Sequence, residues 1–173
     1  MDGCTIERRG NWEMAINIKT GISYRRRIGT TEWTLIDRAP TERCQHLYLV
    51  RQNQGAGEPN HWSLFVAYEN EPGWVYQVKG DAELIQYKYE ENIDILKSIN
   101  LRDAFQLASL TSSGARWVEF YANAEHPPRA VNRALDTENC QGWTVRVLER
   151  LAAQGVVTTD WIISVKAMLE PIR

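Results

Sequence analysis

The sequence predicts an α+β protein, an antiparallel sheet of about five strands packed on one amphipathic helix. Three observations predict it. Between residues 44 and 89, apolar and polar residues alternate in short runs separated by turn-forming segments. Between 139 and 155 the apolar residues instead recur at helical spacing. With 173 residues, 43% hydrophobic and 24% charged, the chain has the size and balance of a single globular domain, 1–173, that buries a core without disulfides or metal.

Residues 1–43 carry short apolar stretches broken by Gly21, Gly29 and Pro40, and predict short strands or an irregular wrap. CQHLYLVRQ from Cys44 reads as a strand, and NQGAGEPN as a loop. HWSLFVAYE, the turn ENEPG and WVYQVKGD then predict a hairpin over 61–80, with LIQYKY at 84–89 as a further strand. The spacing of Ile95, Leu96, Ile99, Leu107 and Leu110 predicts helix over 92–110. ARWVEFYAN reads as a strand, and AEHPPRAVNRALDTEN as a long connection. Asn139 is placed to cap a helix whose apolar face is Trp143, Val147, Leu148 and Leu151, and Gly155 to terminate it. A last helix is predicted over about 159–169.

The 20 basic and 22 acidic residues leave a net charge of −2, so no global positive field exists to hold nucleic acid or anionic lipid. No apolar run approaches the roughly 18 residues needed to span a bilayer. The N-terminal stretch interleaves acid and base and lacks a secretory apolar segment, and three widely spaced cysteines form no disulfide framework. A cytoplasmic, reducing location is the expectation. Seven Trp and seven Tyr serve core packing or line a pocket for an apolar or planar ligand.

Cys140 falls in the first turn of the capped helix, where unpaired N–H groups and the helix dipole favour thiolate over thiol. That position suits a nucleophile, although free cysteine is also a common core residue. His61, opening a strand after GEPN, is the candidate base. On the strand WVYQVK, Trp74, Tyr76 and Val78 share one face and Val75, Gln77 and Lys79 the other, so Gln77 meets a site only if its face does.

HWSLFVAYENEPGWVYQVKG followed by NCQGW resembles the permuted papain-like superfamily that includes NlpC-type peptidases and lecithin:retinol acyltransferase-like proteins. It is also similar to fungal proteins of unassigned function with HW and NCQ-W motifs. The resemblance implies His61 as base, Gln77 as the residue orienting it and Cys140 as nucleophile. The motif neighbours Trp62, Asn139, Gln141 and Trp143 are the candidate binding residues. Gln77 stands where the family has histidine; a neutral amide can fix a tautomer but adds no charge to stabilise an imidazolium.

Other constellations are weaker. Cys44 and His46, with Cys4 or His126, lack the close pairing of a zinc site. Arg25–Arg27 with Arg8 and Arg9 form a local basic patch, and GAGE at 55–58 is not a dinucleotide fingerprint. Neither metal nor cofactor is expected. The sequence therefore points to cysteine-dependent hydrolysis or acyl transfer on an amide, ester or thioester of a small molecule or peptide. Two alternatives stand beside it: a natural-product cyclase or isomerase using His61 as acid or base, and a nonenzymatic module binding a small ligand or peptide.

Overall fold

The computed structural model describes residues 4–17, 22–38, 44–80, 84–129 and 138–172. It divides into two compact units, residues 1–43 and 44–173.

In the first unit, β1 (Cys4–Arg9), β2 (Trp12–Asn17), β3 (Ile22–Arg27) and β4 (Thr34–Arg38) form an antiparallel meander in chain order. The expected short strands are therefore one four-stranded sheet. The β1–β2 turn needs a left-handed residue, which Gly10 supplies at φ 58°. Four arginines of the basic patch, Arg8, Arg9, Arg25 and Arg26, have partners within the unit. Glu13 accepts hydrogen bonds from Arg8 at 3.0 Å and Arg26 at 2.7 Å, and Arg9 pairs with Glu7 at 3.1 Å. The Arg25 guanidinium lies 4.9 Å from the Trp12 ring centre and that of Arg26 lies 4.6 Å from Trp33.

In the second unit, β5 (Gln45–Gln52), β6 (His61–Tyr68), β7 (Gly73–Lys79), β8 (Gln86–Ile93) and β9 (Leu101–Leu110) form an antiparallel sheet in the order β8-β7-β6-β5-β9. Three helices follow: α1 (Ser112–Ala124), α2 (Cys140–Ala153) and α3 (Thr159–Ala167). None of the described helices is long and apolar enough to cross a membrane.

Strand alternation divides the core. Leu47, Leu49, Trp62, Leu64, Val66, Tyr76 and Val78 pack on the face that meets Trp143, Val147, Leu148 and Leu151 of α2, with Val118 and Ala122 of α1. Val50, Phe65, Ala67, Val75 and Ile95 form a second cluster. The central strand β6 is buried on both faces, so its apolar run is almost continuous. Leu148 and Leu151 are fully buried, and truncating either to alanine would cost about 2–5 kcal/mol.

The hairpin 61–80 and both C-terminal helices form as the sequence predicts, and the strand expected at 84–89 is shifted, spanning Gln86–Ile93. Gly155 ends α2 at φ 70°, while its N–H donates to Ala152 O at 2.9 Å and the Val156 N–H to Leu151 O at 3.0 Å.

Two expectations are corrected. The 92–110 stretch is not a helix: β8 ends, Ile95–Lys97 make one 3-10 turn, and β9 begins. A register shift between Leu47 and Tyr48 pairs these residues with Ala108 and Gln106, leaving Leu107 as the extra residue of a bulge. Leu107 and Leu110 thereby both enter the core, and their spacing imitates a helix. ARWVEFYAN is α1, not a strand. Thr111 caps it by accepting the Gly114 N–H at 3.1 Å, and Gly114, Val118 and Ala122 form its buried stripe. Its aromatic residues favour strands, but packing on the sheet decides the outcome. Most of the long connection that precedes Asn139, residues 130–137, lies outside the described residues.

The closest approach of β6 and β7 is tested at Gly73. A Cβ there would overlap the Val66 carbonyl oxygen and the Ala67 side chain, whereas at Gly155 it would meet open space. Gly73→Ala should lower the thermal midpoint much more than Gly155→Ala, whose cost is about 1 kcal/mol of left-handed backbone strain. Equal shifts in a melting experiment would mean that β6 and β7 do not approach so closely.

Candidate functional site

The site forms where the first residues of β6 meet the start of α2. The β6–β7 ladder covers only Leu64–Val66 of β6, while the β5–β6 ladder runs to His61. The beginning of β6 is therefore paired on one side and open on the other. Asn139 caps α2, its Oδ1 accepting the Gln141 N–H at 2.9 Å. The backbone N–H groups of Trp62, Cys140 and Gln141 favour the anionic form of the Cys140 sulfur.

Burial opposes those donors. It pushes the Cys140 thiol above its ordinary range, and the three N–H groups recover only part of the shift. The helix start was expected to give a thiolate. Desolvation reverses that expectation, and Cys140 rests as a neutral thiol near pH 7.

His61 uses its Nε2 to contact Gln77 Oε1 at 2.8 Å. Gln77 is fully buried, and its Nε2 donates to the Glu90 carboxylate, which also pairs with Lys79 at 3.2 Å. This chain of contacts fixes a tautomer. With its NH2 committed to a carboxylate, Gln77 offers only its carbonyl to the ring, so His61 Nε2 carries the proton and Nδ1 the lone pair. Burial pulls the His61 pKa below its ordinary value; the Gln77 bond opposes this, Lys79 adds to it and Glu90 opposes it. The imidazole is neutral at pH 7. Gln77 thus faces His61 from the neighbouring strand.

The motif neighbours are built into the framework. Gln141 is fully buried, donating to Asn60 O at 2.9 Å and accepting the Glu170 N–H at 2.9 Å. Glu170 in turn accepts the Asn60 backbone N–H at 2.6 Å and its side-chain N–H. Trp143 is fully buried, donating to Glu125 O at 3.1 Å, and its ring centre lies 6.1 Å from that of Tyr87. Trp62 is also fully buried, and its Nε1 has no hydrogen-bond partner among the described residues. The sequence reading missed Asn60, Glu90 and Glu170. Only strand register brings Glu90 to Gln77, and only the tertiary fold brings Glu170 to Asn60.

Among the residues weighed as metal ligands, Cys44 is exposed, and His46 Nδ1 contacts Gln106 at 3.1 Å and Ser109 at 3.2 Å. No group of three His, Cys, Asp or Glu among the described residues is arranged to hold a metal ion. A cleft of about 740 Å³, lined by Tyr87 and Tyr89 of β8 and by Trp117 and Phe120 of α1, opens elsewhere in the same unit. The strand expected at ARWVEFYAN concealed it, because only a helix presents Trp117 and Phe120 on one side.

The thiol's protonation is measurable by iodoacetamide labelling with peptide mapping. At pH 7 the exposed Cys44 should label faster than Cys140, whose rate should keep rising as pH passes the usual thiol value. Preferential labelling of Cys140 at pH 7 would show that the N–H groups, not burial, set its state.

The comparisons with known proteins give one family. No curated protein and no solved structure matches the chain. A family model matches residues 47–158, from β5 through the cap of α3, and so spans the hairpin, Gln77 and Cys140. The chain therefore belongs to this family, described as a family of unknown function (DUF6540).

Proposed function

We propose that the chain is a cysteine-dependent hydrolase or acyltransferase acting on an amide, ester or thioester of a small molecule or peptide, in the cytoplasm. The observation that carries this reading is the His61–Gln77–Glu90 hydrogen-bond chain on the sheet against which the helix opened by Cys140 packs. The order His61 on β6, Gln77 on β7 and Cys140 on α2, with the sheet packed on that helix, supports a permuted papain-like arrangement.

In this mechanism His61 Nδ1 takes the thiol proton as Cys140 Sγ attacks the carbonyl carbon. The neutral resting state makes this a coupled step and not attack by a standing thiolate. The Cys140 backbone N–H at the open end of α2 is the donor available to the oxyanion. Collapse of the tetrahedral intermediate breaks the bond to the leaving group, which leaves with the proton held by His61. Water or an amine then attacks the thioester carbonyl, giving a proton to His61; the C–S bond breaks, the acid or amide product leaves, and His61 returns the proton to the sulfur. Gln77 positions the ring throughout, and Glu90 holds Gln77.

A second reading, with His61 as the acid–base group of a cyclase or isomerase and Cys140 as packing, draws on the burial that keeps the thiol protonated. Turnover of p-nitrophenyl acetate separates the two. Cys140→Ser and His61→Ala should each lower it by about a thousandfold or more. Unchanged turnover in Cys140→Ser would pass the role to His61 alone.

Two further measurements address His61 and Gln77. Because burial lowers the His61 pKa, kcat/KM should rise with pH through a midpoint below 6.5 and then level off. A midpoint above 6.5 would contradict a neutral, buried base. Gln77→Ala should reduce the rate by about ten- to a hundredfold, and Gln77→His should retain activity. Wild-type turnover and pH dependence in Gln77→Ala would remove Gln77 from the site.

A further inference from the structure

The cleft between β8 and α1 contains chemistry that the cysteine mechanism does not use. Its volume of about 740 Å³ lies in the range of small-molecule sites. Tyr87, Tyr89, Trp117 and Phe120 supply four aromatic rings, and Glu119 and Arg116 supply charge. Neighbouring rings brace this lining. Tyr89 packs on Tyr76 with centroids 5.3 Å apart, and Trp117 stacks on Tyr121 at 5.5 Å and meets Phe120 edge-on at 5.8 Å. Rings held in place this way are pre-organised, and an aromatic face presents partial negative charge to a ligand.

We propose that this cleft binds a small organic cation, a quaternary or protonated amine on an apolar body, with the aromatic faces around the charge and Glu119 as its counter-ion. A cation gains from the ring quadrupoles as well as from burial of its methyl groups, whereas a neutral ligand gains only the second.

The charges favour this sign. Neither Glu119 nor Arg116 has an ion-pair partner among the described residues, so the Glu119 carboxylate is available to a ligand. Burial, with Glu119 adding to it, pushes the Tyr87 hydroxyl up to about 12. Burial, a hydrogen bond to Glu91, and the Glu91 and Glu119 charges push Tyr89 up to about 12. Glu119, in the same lining as the four aromatic rings, is the carboxylate that an ammonium group would pair with.

Calorimetric titration of the full chain with three probes of one shape tests the sign: choline, the uncharged 3,3-dimethylbutan-1-ol and the anionic 3,3-dimethylbutanoate. Choline should bind most tightly, by about fivefold or more over the alcohol, and the carboxylate least. Glu119→Gln and Trp117→Leu should each weaken choline about three- to tenfold without changing the affinity order of the other two. Both residues are exposed, so folding should survive, as circular dichroism would verify. Cys140→Ser should leave choline binding unchanged, which keeps this test separate from the acyl-transfer reading. The proposal falls if the alcohol binds as tightly as choline, if the carboxylate binds best, or if choline gives no saturable heat at tens of millimolar.

Discussion

The clamp formed by Asn60, Gln141 and Glu170 governs the geometry of the second unit. Gln141 lies in the first turn of α2, Asn60 immediately before β6, and Glu170 just after α3. One buried amide donates to the strand side and accepts from the C-terminal segment, while the Glu170 carboxylate accepts both N–H groups of Asn60. Burial alone would raise the Glu170 pKa, but the Asn60 donors and Gln141 hold it below the usual carboxylate range. Each group satisfies the others. Losing one member would leave buried polar atoms unpaired, at about 1–3 kcal/mol each. The clamp fixes where the helix start lies against β6, and hence which backbone N–H groups reach the sulfur.

At that junction two effects of comparable reach act on one thiol. Helix-end and strand N–H groups favour the anion, while removal from water favours the neutral form, and burial wins. The same burial keeps His61 uncharged, since the single hydrogen bond it donates to Gln77 does not offset desolvation. A thiol and an imidazole that are both neutral cost less to bury than a thiolate–imidazolium pair. Charge then develops only during reaction, when Gln77 and Glu90 already hold the ring in place. Glutamine at position 77 fits such a site. It fixes the tautomer without a charge of its own and passes the connection on to a partly exposed carboxylate.

Helix α1 has two roles because its faces differ. Gly114, Val118 and Ala122 are small enough to let it lie close against the sheet core, while Trp117 and Phe120 project beside β8. Through Trp143, which touches Tyr87 and hydrogen-bonds the end of α1 at Glu125, the cleft and the Cys140 helix share packing. Glu125 adds ion pairs to Arg146 at 2.8 Å and Arg150 at 2.5 Å, so α1 and α2 are joined by polar as well as apolar contacts.

The sequence alone determined what depends on neighbours a few residues apart. Alternation in HWSLFVAY and WVYQVK, the turn between them, the Asn139 cap and the Gly155 terminator are short-range signals, and each formed as written. The two faces of β7 were legible for the same reason. Tertiary structure decided whatever depends on register and burial. A single bulged residue at Leu107 turned strand periodicity into apparent helix, and packing made a helix of a segment with strand-forming aromatics. Glu90 reaches Gln77 across a strand pair, and Glu170 reaches Asn60 across 110 residues of chain. The protonation state of Cys140 belongs to the same class. Position at a helix start is written in the sequence, but the loss of water that outweighs it exists only once β6 and α2 have packed together.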